Sequence, residues 1–149
     1  MISKILVATD GSETAMKAAK FAVSLARQVN ASITLLSVID RSLFISLTIP
    51  KVATPTHLIE PIEDFLRQAA EAYMEEIVTL CERSGIQAET VVKSGHPVDE
   101  IIKGAEKSKA DLIVMGSHGR NATEAAILGS VTFGVIHKDA KIPVLVVRR

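Results

Sequence analysis

The sequence predicts an open, five-stranded parallel α/β sheet in the order 3-2-1-4-5, with helices on both faces. Three observations predict it. Short apolar runs alternate with helical patterns along the whole chain. The runs read as near-continuous Val, Ile and Leu rather than as alternating apolar and polar residues, as strands covered on both faces do. And βα units joined in series pass from strand to parallel strand by right-handed crossovers, which fixes the hand of the connections.

The first strand is Lys4–Thr9, ended by the turn Asp10-Gly11-Ser12, where Ser12 supplies a helix N-cap. Helix one carries Ala15, Ala18, Ala19, Ala22, Leu25, Ala26 and Val29 at helical spacing. Such an alanine face lets it lie close against the sheet. Strand two is Ser32–Ile39. The stretch from Asp40 to His57 then holds Leu43, Phe44, Ile45, Leu47 and Ile49 with Pro50 and Pro55 and has no clean period. It reads either as a surface loop tucking apolar side chains onto the body or as a flap over a ligand or partner. Helix two, His57–Ser84, presents Ile62, Phe65, Leu66, Ala69, Tyr73, Ile77 and Leu80 as one stripe, and Gly85 ends it. Strand three, Gln87–Lys93, is the more polar one expected at an edge. Pro97 opens helix three, with Val98, Ile101, Ile102 and Ala105 inward. Strand four, Asp111–Met115, precedes a glycine-rich loop. A helix from Ser130 carries Val131, Val135 and Ile136, and Val144–Val147 is the last strand.

Composition narrows the function classes. At 149 residues, 48% apolar and 23% charged, the chain suits one domain over 1–149 with a real core. Seventeen basic residues balance seventeen acidic ones, which argues against nucleic-acid or anionic-membrane partners. No apolar stretch approaches the ~20 residues of a membrane span, and the start carries no signal-peptide pattern, so a cytoplasmic location is expected. The single cysteine, Cys81, reads as core packing beside Ile77 and Leu80. His57, His96, His118 and His137 lack metal-ligand spacing.

The chemistry concentrates after strand four, in Gly116-x2-Gly119-x9-Gly129-Ser130. Glycines there let main-chain N–H groups approach phosphate oxygens and open backbone angles closed to other residues. Gly129-Ser130 begins a helix, adding free amides, a hydroxyl and the positive end of the dipole, and Thr132 offers another hydroxyl. The predicted sheet order puts the switch point between strands one and four, which brings Asp10 beside Gly116. His118 and Arg120 lie in the loop, either within reach of a phosphate or on its solvated face. A Walker A loop requires a lysine this loop lacks. A dinucleotide fingerprint requires its glycines after strand one, and a receiver domain requires clustered carboxylates.

The chain resembles the universal stress proteins of the UspA type, in the subgroup that keeps an ATP-binding loop. The resemblance rests on Ile5-Leu6-Val7-Ala8-Thr9-Asp10-Gly11-Ser12, on Ala110–Gly119, on Leu128-Gly129-Ser130-Val131 and on Pro143–Val147. It implies a Rossmann-like fold of the adenine nucleotide alpha hydrolase kind. It also implies that Asp10 lies near adenosine and its ribose, that the main chain of Val38 pairs with adenine, and that Ala8 and Thr9 share that wall. Met115, Gly116 and Gly119 then line the ribose and phosphate side, with Gly129, Ser130, Val131 and Thr132 at the phosphate end. One departure is Thr132-Phe133-Gly134-Val135, where charged helix-surface residues are more usual; Gly134 is expected to loosen that helix.

The implied ligand is ATP, with AMP or another adenine nucleotide as alternatives and Mg²⁺ or Mn²⁺ accompanying the phosphates. The implied assembly is a homodimer through the last strand, whose apolar edge invites pairing. Two functions remain open on the residues: a nucleotide-binding regulatory module with an unidentified protein partner, or a weak metal-assisted ATPase or nucleotidyl/phosphoryl transferase in which Asp10 assists. A third reading is an interaction protein with a vestigial pocket.

Overall fold

The computed structural model describes residues 1–42, 56–120, 125–138 and 141–149, residues 56–60 by their backbone alone. In chain order the elements are β1 (Lys4–Ala8), α1 (Glu13–Val29), β2 (Ser32–Asp40), α2 (Thr56–Arg83), β3 (Ala88–Gly95), α3 (Pro97–Lys107), β4 (Leu112–Gly116), α4 (Ser130–His137) and β5 (Val144–Val147). The strands form one sheet in the expected order β3-β2-β1-β4-β5, with every pairing parallel. Register is set by apolar pairs across the centre: Val7 faces Leu35 on one side and Val114 on the other.

Period two splits each strand between two cores. Ile5, Val7, Ile33, Leu35 and Val114 face α1 and α2; Leu6, Ala8, Leu36, Ile113 and Met115 face α3 and α4. The alanine face of α1 is buried as expected, through Ala18, Ala19, Ala22 and Ala26. Ser12 caps that helix by accepting from the Ala15 amide at 3.2 Å. At its far end Asn30 takes the left-handed conformation at φ 59°, which releases the chain into β2.

Three expectations about packing are corrected. The buried line of α2 is Ala70, Met74, Ile77 and Cys81, whereas Phe65 is 70% exposed. The inner face is therefore rotated from the stripe read in sequence, because apolar residues near the start of α2 are not all opposite the sheet. In α1 Val29 is exposed while Val23 is buried. Gly134 does not loosen α4. A Cβ there would stand 2.6 Å from Val98 Cγ2, so the glycine is what lets α4 lie against α3. Cys81 is fully buried, and that burial pushes its thiol pKa up. Most of the Asp40–His57 segment lies outside the described residues.

Candidate functional site

The site forms where β1 and β4, neighbours in space but not in sequence, send their chains to opposite faces of the sheet. The turn after β1 is built by Asp10. Its Oδ1 accepts the Ser12 amide at 2.9 Å, and its Oδ2 accepts the Arg120 amide at 2.9 Å. One carboxylate therefore ties the first loop of the chain to the glycine loop that follows β4. Gly11, at φ 76°, makes the reversal.

Close approach, rather than unusual backbone angles, explains the loop glycines. Among the described residues the glycines with positive φ are Gly11, Gly85 and Gly95, so Gly116, Gly119 and Gly129 do not exploit that freedom. A Cβ on Gly119 would sit 2.5 Å from Asp10 Oδ2, and one on Gly116 would meet Thr14 at 2.9–3.1 Å. The expected contact of Asp10 with Gly116 is thus a contact with Gly119 and Arg120, one turn further along. Thr14 covers Gly116.

The loop is pinned from inside. Ser117 donates its amide to Val147 at 2.8 Å, and its carbonyl accepts the Gly129 amide at 2.7 Å. His118 is 8% exposed. Its Nε2 lies 2.5 Å from the Ala126 carbonyl and its Nδ1 2.7 Å from Ser117 Oγ. A carbonyl only accepts, so Nε2 carries the proton that holds this bond. His118 is neither on a solvated face nor free to reach a phosphate; both ring nitrogens hold the loop's shape. Thr132 is likewise engaged, donating its hydroxyl to the Gly116 carbonyl at 2.8 Å while 3% exposed. Its hydroxyl pegs α4 to β4 and is not available as a second donor to an anion.

What remains open are main-chain amides. α4 begins at Gly129 (φ −68°, ψ 158°) with no side-chain cap, and its first intrahelical bond runs from the Phe133 amide to the Gly129 carbonyl. The amides of Ser130, Val131 and Thr132 therefore lack intrahelical acceptors at the positive end of the helix dipole. Across the opening, β2 outruns β1. The last main-chain bond of β1's end joins the Thr9 amide to the Leu36 carbonyl at 2.9 Å. Because strand groups alternate sides, the Val38 amide and carbonyl point the same way as those of Leu36, past the end of β1.

These parts enclose a crevice of about 390 Å³, and every residue singled out in sequence lines it: Ala8, Thr9, Asp10 and Val38 on one side, Met115, Gly116, Gly119, Arg120, Gly129, Ser130, Val131 and Thr132 on the other. Sequence reasoning missed the α2 wall of Leu66, Ala69, Ala70 and Tyr73 and the α3 wall of Pro97 and Ile101. No spacing in the sequence relates those helices to the turn after β1. Tyr73 makes a 2.5 Å hydrogen bond with Ser37 Oγ, and the Arg120 guanidinium lies 5.9 Å from its ring centre. Burial raises the Tyr73 pKa, with the Ser37 hydrogen bond opposing and the Asp10 charge reinforcing the rise. Outside the crevice lining, Glu63 accepts from Ser94 Oγ and pairs with Arg41 at 2.9 Å, which together hold its carboxyl below the ordinary range.

The family model for the universal stress protein family matches residues 1–148. The chain belongs to that family. Among curated universal stress proteins, it is 36% identical to MJ0531 of Methanocaldococcus jannaschii, over all of this chain and 84% of that one. It is 32% identical to YxiE of Bacillus subtilis, over 99% of this chain and all of that one. The solved structure of MJ0577 from M. jannaschii superposes with a TM-score of 0.86 at 36% identity, covering 100% of this chain and 97% of that chain. The universal stress protein fold, five parallel strands in the order 3-2-1-4-5 with four principal helices, is therefore the scaffold on which this crevice is built.

Proposed function

We propose that this universal stress protein binds an adenine nucleotide, ATP foremost, in the crevice at the β1/β4 switch point, and acts as a binding module with little turnover. The observation that carries the reading is the uncapped start of α4 facing the glycine loop: three main-chain donors and a helix dipole converge where a phosphate chain fits. In this reading Ser130 Oγ adds a donor beside them. The Val38 amide and carbonyl, left without a β1 partner, take the base edge, with Ala8, Thr9 and Met115 as its walls, and Asp10 faces the ribose. Universal stress proteins of the same fold have been solved with cAMP (24% identical, TM-score 0.70) and, from Archaeoglobus fulgidus, with dAMP (21% identical, TM-score 0.67); these likenesses are of fold.

The low-turnover reading is supported by what the lining residues are already doing. Both Asp10 oxygens accept main-chain amides, so this carboxylate serves as a crosslink. Phosphoryl transfer asks for a group that orients the attacking water and for fixed charge on the transferred phosphoryl. Among the described residues no group of three His, Cys, Asp or Glu side chains gathers to hold a metal. Mg²⁺ or Mn²⁺, where it enters, is carried by phosphate oxygens rather than by a protein cage.

Mass analysis of ligand released from protein purified without added nucleotide, followed by equilibrium titration with ATP and AMP, tests this function. Saturable binding is the expected result. No binding at millimolar ligand refutes it and leaves a vestigial pocket. Steady-state phosphate release under Mg²⁺ or Mn²⁺ that is fast, and abolished by Asp10→Asn without loss of affinity, would establish the transferase or ATPase reading instead. The same family reading includes a homodimer through β5. The Pro143 and Val147 carbonyls accept from the Ile113 and Ser117 amides, so by alternation Val144 and Val146 present their main-chain groups to the open edge.

A further inference from the structure

Arg120 is the one Lys or Arg among the described residues that line the crevice; Asp10 and Asp40 are the acidic ones. Its main chain is fixed, because its amide donates to Asp10 Oδ2. Its side chain is not held by an ion pair: among the described residues no carboxylate lies within 4.0 Å of the guanidinium. The guanidinium rests instead over the Tyr73 ring, 5.9 Å from its centre. Both groups press on Gly11. A Cβ at that position would stand 2.4 Å from Tyr73 Cδ1 and 2.9 Å from Arg120 Nη2, so only glycine leaves room for the pair. The Tyr73 ring itself is fixed by its hydrogen bond to Ser37.

We infer that Arg120 is a two-position cation, seated on Tyr73 or on the phosphate chain, and that this exchange makes the site grade adenine nucleotides by their phosphate charge. The inference rests on the nucleotide reading above and adds to it a specificity-determining pair, Arg120 and Tyr73. The energetics favour exchange. A cation over an aromatic ring near solvent is a weak seat, worth about a two- to fivefold preference. A guanidinium on a phosphate makes charge-assisted, often paired hydrogen bonds that are several-fold stronger. Arg120 directly follows Gly119 at the junction of the two loops, so a fixed main chain and a swinging head are compatible. A nucleoside offers no charge to draw the guanidinium away. It leaves Tyr73 covered.

The chain contains one tyrosine and no tryptophan, so tyrosine emission reports Tyr73 alone. The experiment titrates the full chain with ATP, AMP and adenosine by calorimetry and follows that emission. ATP is expected to change the emission and adenosine to leave it unchanged. Arg120→Gln should weaken ATP about tenfold or more while shifting adenosine by less than about twofold. Tyr73→Leu, which removes the resting seat, should tighten ATP about two- to fivefold; that gain should vanish in the Arg120→Gln background. Tyr73→Phe keeps the ring and should keep the wild-type ATP affinity. Equal loss of ATP and adenosine in Tyr73→Leu would make Tyr73 a plain wall, and an unchanged ATP affinity in Arg120→Gln, or the same emission response to adenosine as to ATP, would overturn the exchange. Those outcomes leave the nucleotide site standing. Failure of every nucleotide to bind the wild-type chain overturns both.

Discussion

Replacing Thr132 by valine separates a structural hydroxyl from a ligand-binding one. Valine matches threonine in shape, so the substitution removes the Oγ1 donor without opening a cavity. The lost bond is 2.8 Å long, and Thr132 is 3% exposed. The Gly116 carbonyl is then left facing a methyl group in the interior. Removing one partner of a buried pair costs about 1–3 kcal/mol, and a chain of this length loses about 2–4 °C of Tm per kcal/mol. A drop of about 2–12 °C in a calorimetric melt is expected. ATP affinity, measured by titration well below the melt, should stay within about threefold, since the donors assigned to phosphate are amides. Ser130→Ala should show the opposite pattern, with an unmoved Tm and weakened ATP. An unchanged Tm combined with lost ATP binding in Thr132→Val would refute the peg and return Thr132 to the ligand.

Further outcomes can be checked independently. Gly129→Glu keeps an ordinary φ of −68°, and its Cβ meets the His118 Cα at 3.3 Å, a tight contact relieved by a loop shift of a few tenths of an ångström, so circular dichroism should be native while a carboxylate among the amides abolishes ATP binding; retained affinity would move the phosphates elsewhere. Glu63 has a lowered pKa, so its contribution to stability is complete above the unfolded value near 4.5 and is lost as pH falls through the folded one. The Tm gap between wild type and Glu63→Gln should therefore be constant near neutrality and close on acidification below about pH 4.5; a gap that widens in acid contradicts the assignment. Val146→Pro removes an N–H from the open edge and not from the β4 ladder. Light scattering should show a dimer for wild type and a monomer for this variant, and a persistent dimer would place the interface off β5.

The strands and the glycine loop were legible in sequence because each has a local signature: continuous apolar runs for buried strands, and glycines spaced after the end of one. Asp10, Gly119 and Gly129 were found for the same reason. The roles of His118 and Thr132 were not legible. Both carry polar groups of the kind that bind anions, and only the fold reveals that Ala126, Ser117 and Gly116 have already claimed them. Tyr73 was read as part of a core stripe, since nothing in α2 announces that one turn of it reaches Gly11. The rotated face of α2 has a similar origin: Leu66 and Ala69 of the stripe read in sequence line the crevice instead of the core beneath the strands.

The Asp10 carboxylate joins residues 110 positions apart. The pocket therefore cannot exist on a partly synthesised chain: until β4 has docked beside β1, there is no second loop for the first to hold. Ligand capacity arrives last, as a property of the finished molecule. Any molecule that bridges the two loops must raise the melting point of the whole sheet rather than stiffen one corner of it.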